Sequence, residues 1–264
     1  MSLRPFLLAA LLLFAGSRLF SAQDQLQTLH GHCSIAPSAM SGRVQFEMED
    51  GDCDSSERHC HNHDSDELPL SNFTGLALAD FEREGAHLEA KIVAEAGTIT
   101  CAGEVHGLAL TGDYAFLPDS AFVERMGKLG FTGFSSEKLE AYTLFHIETS
   151  WVQSLLEAGV NDMDSGKILA LRIFKIDAAF VRAMAALGYP NLSADKLISF
   201  GVQGVNADEV KQYRALGYQP NADELIQMRI FKVTPDFIQR MDDRGLGKLT
   251  IGKLVQIRIF KLAD

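Results

Sequence analysis

The densest run of chemistry-bearing side chains is Asp52-Cys53-Asp54, followed by His59-Cys60-His61-Asn62-His63-Asp64. Imidazole nitrogens and thiolates are borderline-soft donors suited to zinc or copper, so His59, Cys60, His61 and His63 are the candidate metal ligands. The spacing matches neither a paired Cys-x-x-Cys nor a helical His-Glu-x-x-His site. In an oxidising compartment the same thiols read as cross-links. Four cysteines allow three pairings, and the favoured reading bonds Cys53 to Cys60 across an acidic loop and Cys33 to Cys101. Carboxylates are plentiful but are not placed as an acid–base pair, and no serine, cysteine or histidine nucleophile motif stands out. The expectation is a non-enzymatic chain with no cofactor. Metal binding through the His59–Asp64 loop is the first alternative, and a hydrolase the second.

Charge narrows the partners. Residues 1–116 carry 6 Lys and Arg against 17 Asp and Glu, while residues 117–264 carry 18 of each, so the whole net charge of −11 lies in the first part. Such a block repels polyanions, and nucleic acid is not an expected partner. The segment Met1–Ala22 has the order of a secretory signal: Arg4, an apolar stretch from Phe6 to Ala15, then small residues at Ser17, Ser21 and Ala22. An apolar run of that length is short for a bilayer, so no stable membrane insertion is expected after its removal. The chain is expected to be exported, to a periplasm or the extracellular space.

The elements that position these residues follow from an internal repeat. Gly130, Gly159, Gly188, Gly217 and Gly245 are spaced 29, 29, 29 and 28 residues apart, and Ser135, Asp164, Ser193, Asn221 and Thr250 recur at 29, 29, 28 and 29. The glycines stop a first short helix in each unit, and the second set are preferred N-cap residues opening a second one. A glycine-closed helix end brings the following residue against the one five positions back. The sequence supplies apolar pairs there: Phe131 with Met126, Val160 with Leu155, Tyr189 with Met184, Tyr218 with Tyr213 and Leu246 with Met241. Two helices of such length cannot bury their apolar faces alone, so residues 118–264 are expected to stack as an α-helical solenoid.

Within it Arg172-Ile173-Phe174-Lys175, Arg229-Ile230-Phe231-Lys232 and Arg258-Ile259-Phe260-Lys261 fall at equivalent positions. Their arginines, phenylalanines and lysines are the candidate partner-binding residues. The competing reading is structural, with lysine favoured by the helix dipole and phenylalanine filling the seam between units. One unit departs from the pattern as Phe200-Gly201-Val202-Gln203-Gly204. Its two glycines should weaken the helix and mark a bend or contact.

Upstream, residues 41–117 alternate apolar and polar side chains in short runs such as Arg43 to Glu49 and His87 to Ile92, broken by Gly97, Gly103, Gly107 and Gly112. This is the pattern of a small antiparallel β-sandwich or open sheet of about five to seven strands. Residues 23–40 read as a linker or arm. The fold class is thus α+β, an antiparallel β-domain followed by a helical repeat.

The segment Ala186-Leu187-Gly188-Tyr189-Pro190-Asn191-Leu192-Ser193-Ala194-Asp195-Lys196-Leu197-Ile198 and the Gly-Val stretch after it resemble repeats of exported bacterial proteins. They also resemble the repeats C-terminal to membrane metallopeptidases of the beta-lactam-sensor type. The resemblance implies an exported helical-repeat module. It carries no proteolysis, because the peptidase zinc motif is absent from this sequence. A protein partner engaged through the helical surface is the function it leaves.

Overall fold

The structure is a computed structural model that describes residues 26–50, 63–245 and 247–262. The expected signal segment, Cys53, Cys60, His59 and His61 lie outside the described residues. Six strands, β1 (Leu29–Pro37), β2 (Arg43–Asp50), β3 (His63–Pro69), β4 (His87–Ala94), β5 (Gly97–His106) and β6 (Ala109–Pro118), form one antiparallel sheet in the order β3-β2-β1-β6-β5-β4. Alternate residues point to one face, so Ile35, Val44, Phe46, Ile92, Ile99, Leu110 and Phe116 are all buried on a common side.

Three expectations change here. The 23–40 segment is no linker: β1 occupies most of it and lies in the middle of the sheet, between β2 and β6. It reads poorly because Leu-His-Gly-His-Cys-Ser-Ile-Ala-Pro has few β-branched residues, and its ladder partners on β6 lie some eighty positions away, as in Cys33 opposite Gly112. Of the two expected arrangements, sandwich or open sheet, the sandwich falls away: among the described residues the six strands form one sheet, and helices cover its buried face. Finally, Gly103 and Gly112 do not separate hairpins. They face each other inside β5 and β6, where a Cβ on either would stand 2.6 Å from the other's Cα. That approach is open only to glycine. At this level Cys33 of β1 is bonded to Cys101 of β5 across the intervening β6, with Cα atoms 5.9 Å apart.

Ten helices follow: α1 (Ser120–Lys128), α2 (Ser136–Leu144), α3 (Thr149–Glu157), α4 (Ser165–Ile173), α5 (Ala178–Ala186), α6 (Ala194–Gln203), α7 (Ala207–Ala215), α8 (Ala222–Ile230), α9 (Pro235–Asp243) and α10 (Ile251–Ile259). Each of Ser135, Asp164, Ser193, Asn221 and Thr250 accepts a hydrogen bond from a first-turn amide of its even-numbered helix. Asp119, Asp177, Asn206 and Thr234 do the same for α1, α5, α7 and α9, while Glu148 ahead of α3 makes no such bond. At the other ends, Phe131, Val160, Tyr189 and Tyr218 each donate their amide to the carbonyl five residues back at 2.9–3.2 Å, closing α1, α3, α5 and α7 behind a glycine. Leu246 lies outside the described residues.

Packing alternates. α1 lies on α3, α3 on α5, α5 on α7 and α7 on α9, while α4 lies on α6, α6 on α8 and α8 on α10. The same inter-unit bonds recur at the repeat spacing. Tyr189 donates its hydroxyl to the Pro220 carbonyl and Tyr218 to the Leu249 carbonyl; Lys167 pairs with Asp195 and Lys196 with Asp223. Helix α2 packs on β4, β5 and β6, and one apolar core joins the sheet to Phe122, Met126, Leu139, Tyr142 and Leu144. Each such large side chain removed from water is worth roughly 1.5–3 kcal/mol.

Candidate functional site

The Arg-Ile-Phe-Lys ladder falls at the C-terminal ends of α4, α8 and α10, and its four side chains have four different fates. The arginines clasp the unit before. Arg172 Nε donates to the Phe145 carbonyl at the end of α2 (2.9 Å), Arg229 Nε to the Gln203 carbonyl at the end of α6 (2.9 Å), and Arg258 Nε and Nη2 to the Lys232 carbonyl just past α8 (3.1 and 2.9 Å). A cation there meets the negative end of the helix dipole and satisfies an otherwise unpaired carbonyl. Each guanidinium also rests on the third residue of an odd-numbered helix. Arg172 lies 5.3 Å from the Trp151 ring centroid and Arg258 4.5 Å from that of Phe237, while Arg229 pairs with Glu209 at 3.0 Å.

The lysines hold a backbone position. Lys175, Lys232 and Lys261 have φ of +57°, +54° and +50°, matched by His146 at +47° and Gly204 at +67° in the other two units. These five residues close the even-numbered helices. The next amide in each case, from Ile147, Ile176, Val205, Val233 and Leu262, donates to the carbonyl five residues back at 2.8–3.1 Å. Gly204 therefore marks what the lysine position is for: in that unit, glycine does the same job without steric cost.

The phenylalanines straddle the seam between units, Phe231 half-buried and Phe174 and Phe260 exposed. The isoleucines do not pack. Ile173, Val202, Ile230 and Ile259 occupy one equivalent position in four consecutive units and are 43, 52, 49 and 47 % exposed. Beside the first of them a cleft of about 350 Å³ opens between Phe145, Trp151, Arg172, Ile173, Lys175 and Asp177. His146 lies next to this cleft in sequence. Its Nε2 is buried without a hydrogen-bond partner, and burial followed by the nearby Arg172 charge holds its pKa below the ordinary histidine value, Glu148 opposing.

Thus the arginines belong to the framework, whereas the lysines and part of the phenylalanine row present side chains to solvent. The row that sequence reasoning passed over is the isoleucine one. Its signal was available as an apolar residue repeating on the face opposite the buried Leu171, Phe200 and Met228.

Among the described residues, no group of three His, Cys, Asp or Glu side chains is placed to hold a metal ion. His63 is the first residue of β3. A second polar cluster went unread in the sequence. His87 Nε2 lies 2.8 Å and His106 Nε2 3.0 Å from the Glu104 carboxylate, and His106 Nδ1 lies 3.0 Å from Glu84. The two carboxylates raise the His106 pKa, Glu84 first. The pairing follows from the two-residue turn Glu95-Ala96, which sets His87 opposite Glu104. No helix among the described residues is long and apolar enough to cross a membrane. No protein-family profile, curated protein or solved structure matches the chain.

Proposed function

We propose that the chain is a non-enzymatic protein-interaction module of an exported compartment, in which the helical units stack as a solenoid and present their even-numbered helices to a protein partner. The observation that carries this reading is the row Ile173, Val202, Ile230 and Ile259, exposed at one position of four successive units. A contiguous apolar surface rimmed by charge is how interaction sites differ from ordinary protein surface. The solenoid reading is supported by the recurrence of the Tyr189 and Tyr218 bonds and the Lys167 and Lys196 ion pairs at the repeat spacing. Export is supported by the signal-like order of residues 1–22 and by the Cys33–Cys101 bond, which persists in oxidising surroundings.

The test is capture of partners from the exported fraction by the full chain and by an Ile173→Glu/Ile230→Glu variant with an unchanged circular dichroism spectrum. Partners retained by the parent and lost by the variant support the reading. Equal capture by both removes this surface from the function.

A further inference from the structure

The outer face of the even-numbered helices is covered once, by this chain itself. In α2 the positions Glu140, Thr143 and Leu144 are buried, and α2 is the helix that packs on β4, β5 and β6. One unit on, the matching Leu169, Arg172 and Ile173 are only half-buried or exposed. Leu144 is 6 % exposed and Ile173 43 %. The pairs Leu169 and Ile173, Ile198 and Val202, Ile226 and Ile230, and Val255 and Ile259 stand four residues apart, on one face of each helix. Leu169, Ile198 and Ile226 are half-buried and Val255 is buried, so the open part of the strip is the row Ile173, Val202, Ile230 and Ile259.

The border of this strip has a sign. Lys175, Lys232 and Lys261 stand at its edge in three units, and Lys175 lines the same cleft as Ile173. Lys167 and Lys196, at the opposite ends of their helices, are neutralised by Asp195 and Asp223. The three edge lysines are exposed and make no ion pair among the described residues. At the first unit Arg172 and Lys175 share the cleft with one carboxylate, Asp177, so an occupant meets apolar side chains beside a border that is basic on balance.

Building on the interaction-module reading above, we propose that the outer face of α4, α6, α8 and α10 docks an acidic polypeptide segment that carries apolar side chains, laid across the helices in extended form as the strands lie across α2. The apolar side chains of the segment cover the Ile173, Val202, Ile230 and Ile259 row. Its carboxylates meet Lys175, Lys232 and Lys261. The helices cross the segment one after another, so its length rather than a single pocket sets the affinity, and salt weakens it through the lysines.

The experiment uses the full chain and fluorescent peptides of about fourteen residues, enough to cross several helices in extended form. One alternates Val with Glu, a second Val with Lys, and a third Ser with Glu. Two variants accompany the parent. Ile173→Ser/Ile230→Ser removes the apolar row. Lys175→Gly/Lys232→Gly removes the charge and keeps the left-handed backbone. The expected result is binding of the Val–Glu peptide alone, weakened about tenfold or more by the serine variant, and weakened with a reduced salt dependence by the glycine variant, which keeps Lys261. Equal binding of the Val–Lys peptide, indifference to either variant, or closure of the strip by self-association of the parent overturns the proposal. So does binding of anionic phosphatidylglycerol vesicles in place of all three peptides. If partner capture is still lost on Ile173→Glu/Ile230→Glu while the Val–Glu peptide fails to bind, this proposal falls and the broader reading stands. If capture is unaffected as well, both fall.

Discussion

Gly201 of α6 lies against Phe174 of the preceding unit so closely that a Cβ on the glycine would stand 2.6 Å from the phenylalanine Cβ and 3.3 Å from its carbonyl oxygen. It takes the ladder position that arginine fills at 172, 229 and 258, and α6 nevertheless runs unbroken from Ala194 to Gln203. In an exposed helix Gly→Ala gains about 1 kcal/mol. Here the contact reverses the sign. Gly201→Ala should lower unfolding free energy by about 1–2 kcal/mol, the overpacking cost outweighing the propensity gain, as measured by urea denaturation.

The left-handed lysines predict the opposite outcome. A non-glycine residue in that conformation costs roughly 1 kcal/mol or more, and the exposed side chains of Lys175 and Lys232 recover little of it. Lys175→Gly and Lys232→Gly should each raise stability by about 0.5–1 kcal/mol. A shift of the urea midpoint upward without a change of slope checks this.

Arg229 is the ladder arginine that pairs with a carboxylate. It donates to the Gln203 carbonyl and to Glu209, a carboxylate 13 % exposed. Arg229→Met keeps much of the stem but takes its donor from the Gln203 carbonyl and leaves the Glu209 carboxylate with the Tyr213 hydroxyl and no cation, and should cost about 2 kcal/mol. Adding Glu209→Gln to that variant should recover part of the loss, because the buried charge goes with its partner. Thermal unfolding of the four members of the cycle measures the coupling.

His146 should make stability depend on pH. Its pKa in the folded chain lies below the ordinary value of 6.5, chiefly through burial. Well above pH 6.5 the ring is neutral folded and unfolded, and contributes no pH dependence. As pH falls below that, the unfolded chain takes up the proton first, so stability declines until the folded pKa is passed. His146→Asn suits the left-handed position and cannot titrate. The stability difference between pH 7 and pH 5 should shrink in that variant; an unchanged difference would assign it to other groups.

The helical half was the more legible because its signals are local. Asp164, Ser193, Asn221 and Thr250 announce helix starts by their own hydrogen-bonding chemistry, and Gly159, Gly188 and Gly217 announce helix stops. Lysine carries no such signal, so the closing role of Lys175, Lys232 and Lys261 is visible only by aligning them with Gly204. The sheet was less legible because its logic is not local. β1 is a strand by virtue of β2 and β6 on either side, and Gly103 and Gly112 look like breaks until their register sets them face to face. The candidate surface was half read. The Arg-Ile-Phe-Lys ladder drew notice as one motif, while the structure divides it into a clasp, an exposed apolar row, a seam and a helix stop.

Removing the Cys33–Cys101 bond should cost about 2–4 kcal/mol, since it closes a span of 68 residues and joins strands that share no ladder. A Cys33→Ala/Cys101→Ala variant compared with the parent under non-reducing conditions measures it.

That bond also fixes how the protein responds to a protease. Residues 33 to 101 form a covalent ring with the sulfur link as its clasp. A single cut anywhere on that ring, in a turn or between β2 and β3, opens the circle without releasing a fragment. The nicked molecule keeps its mass and runs as two pieces only after a reductant is added, so an intact band without thiol is no sign of an unbroken chain.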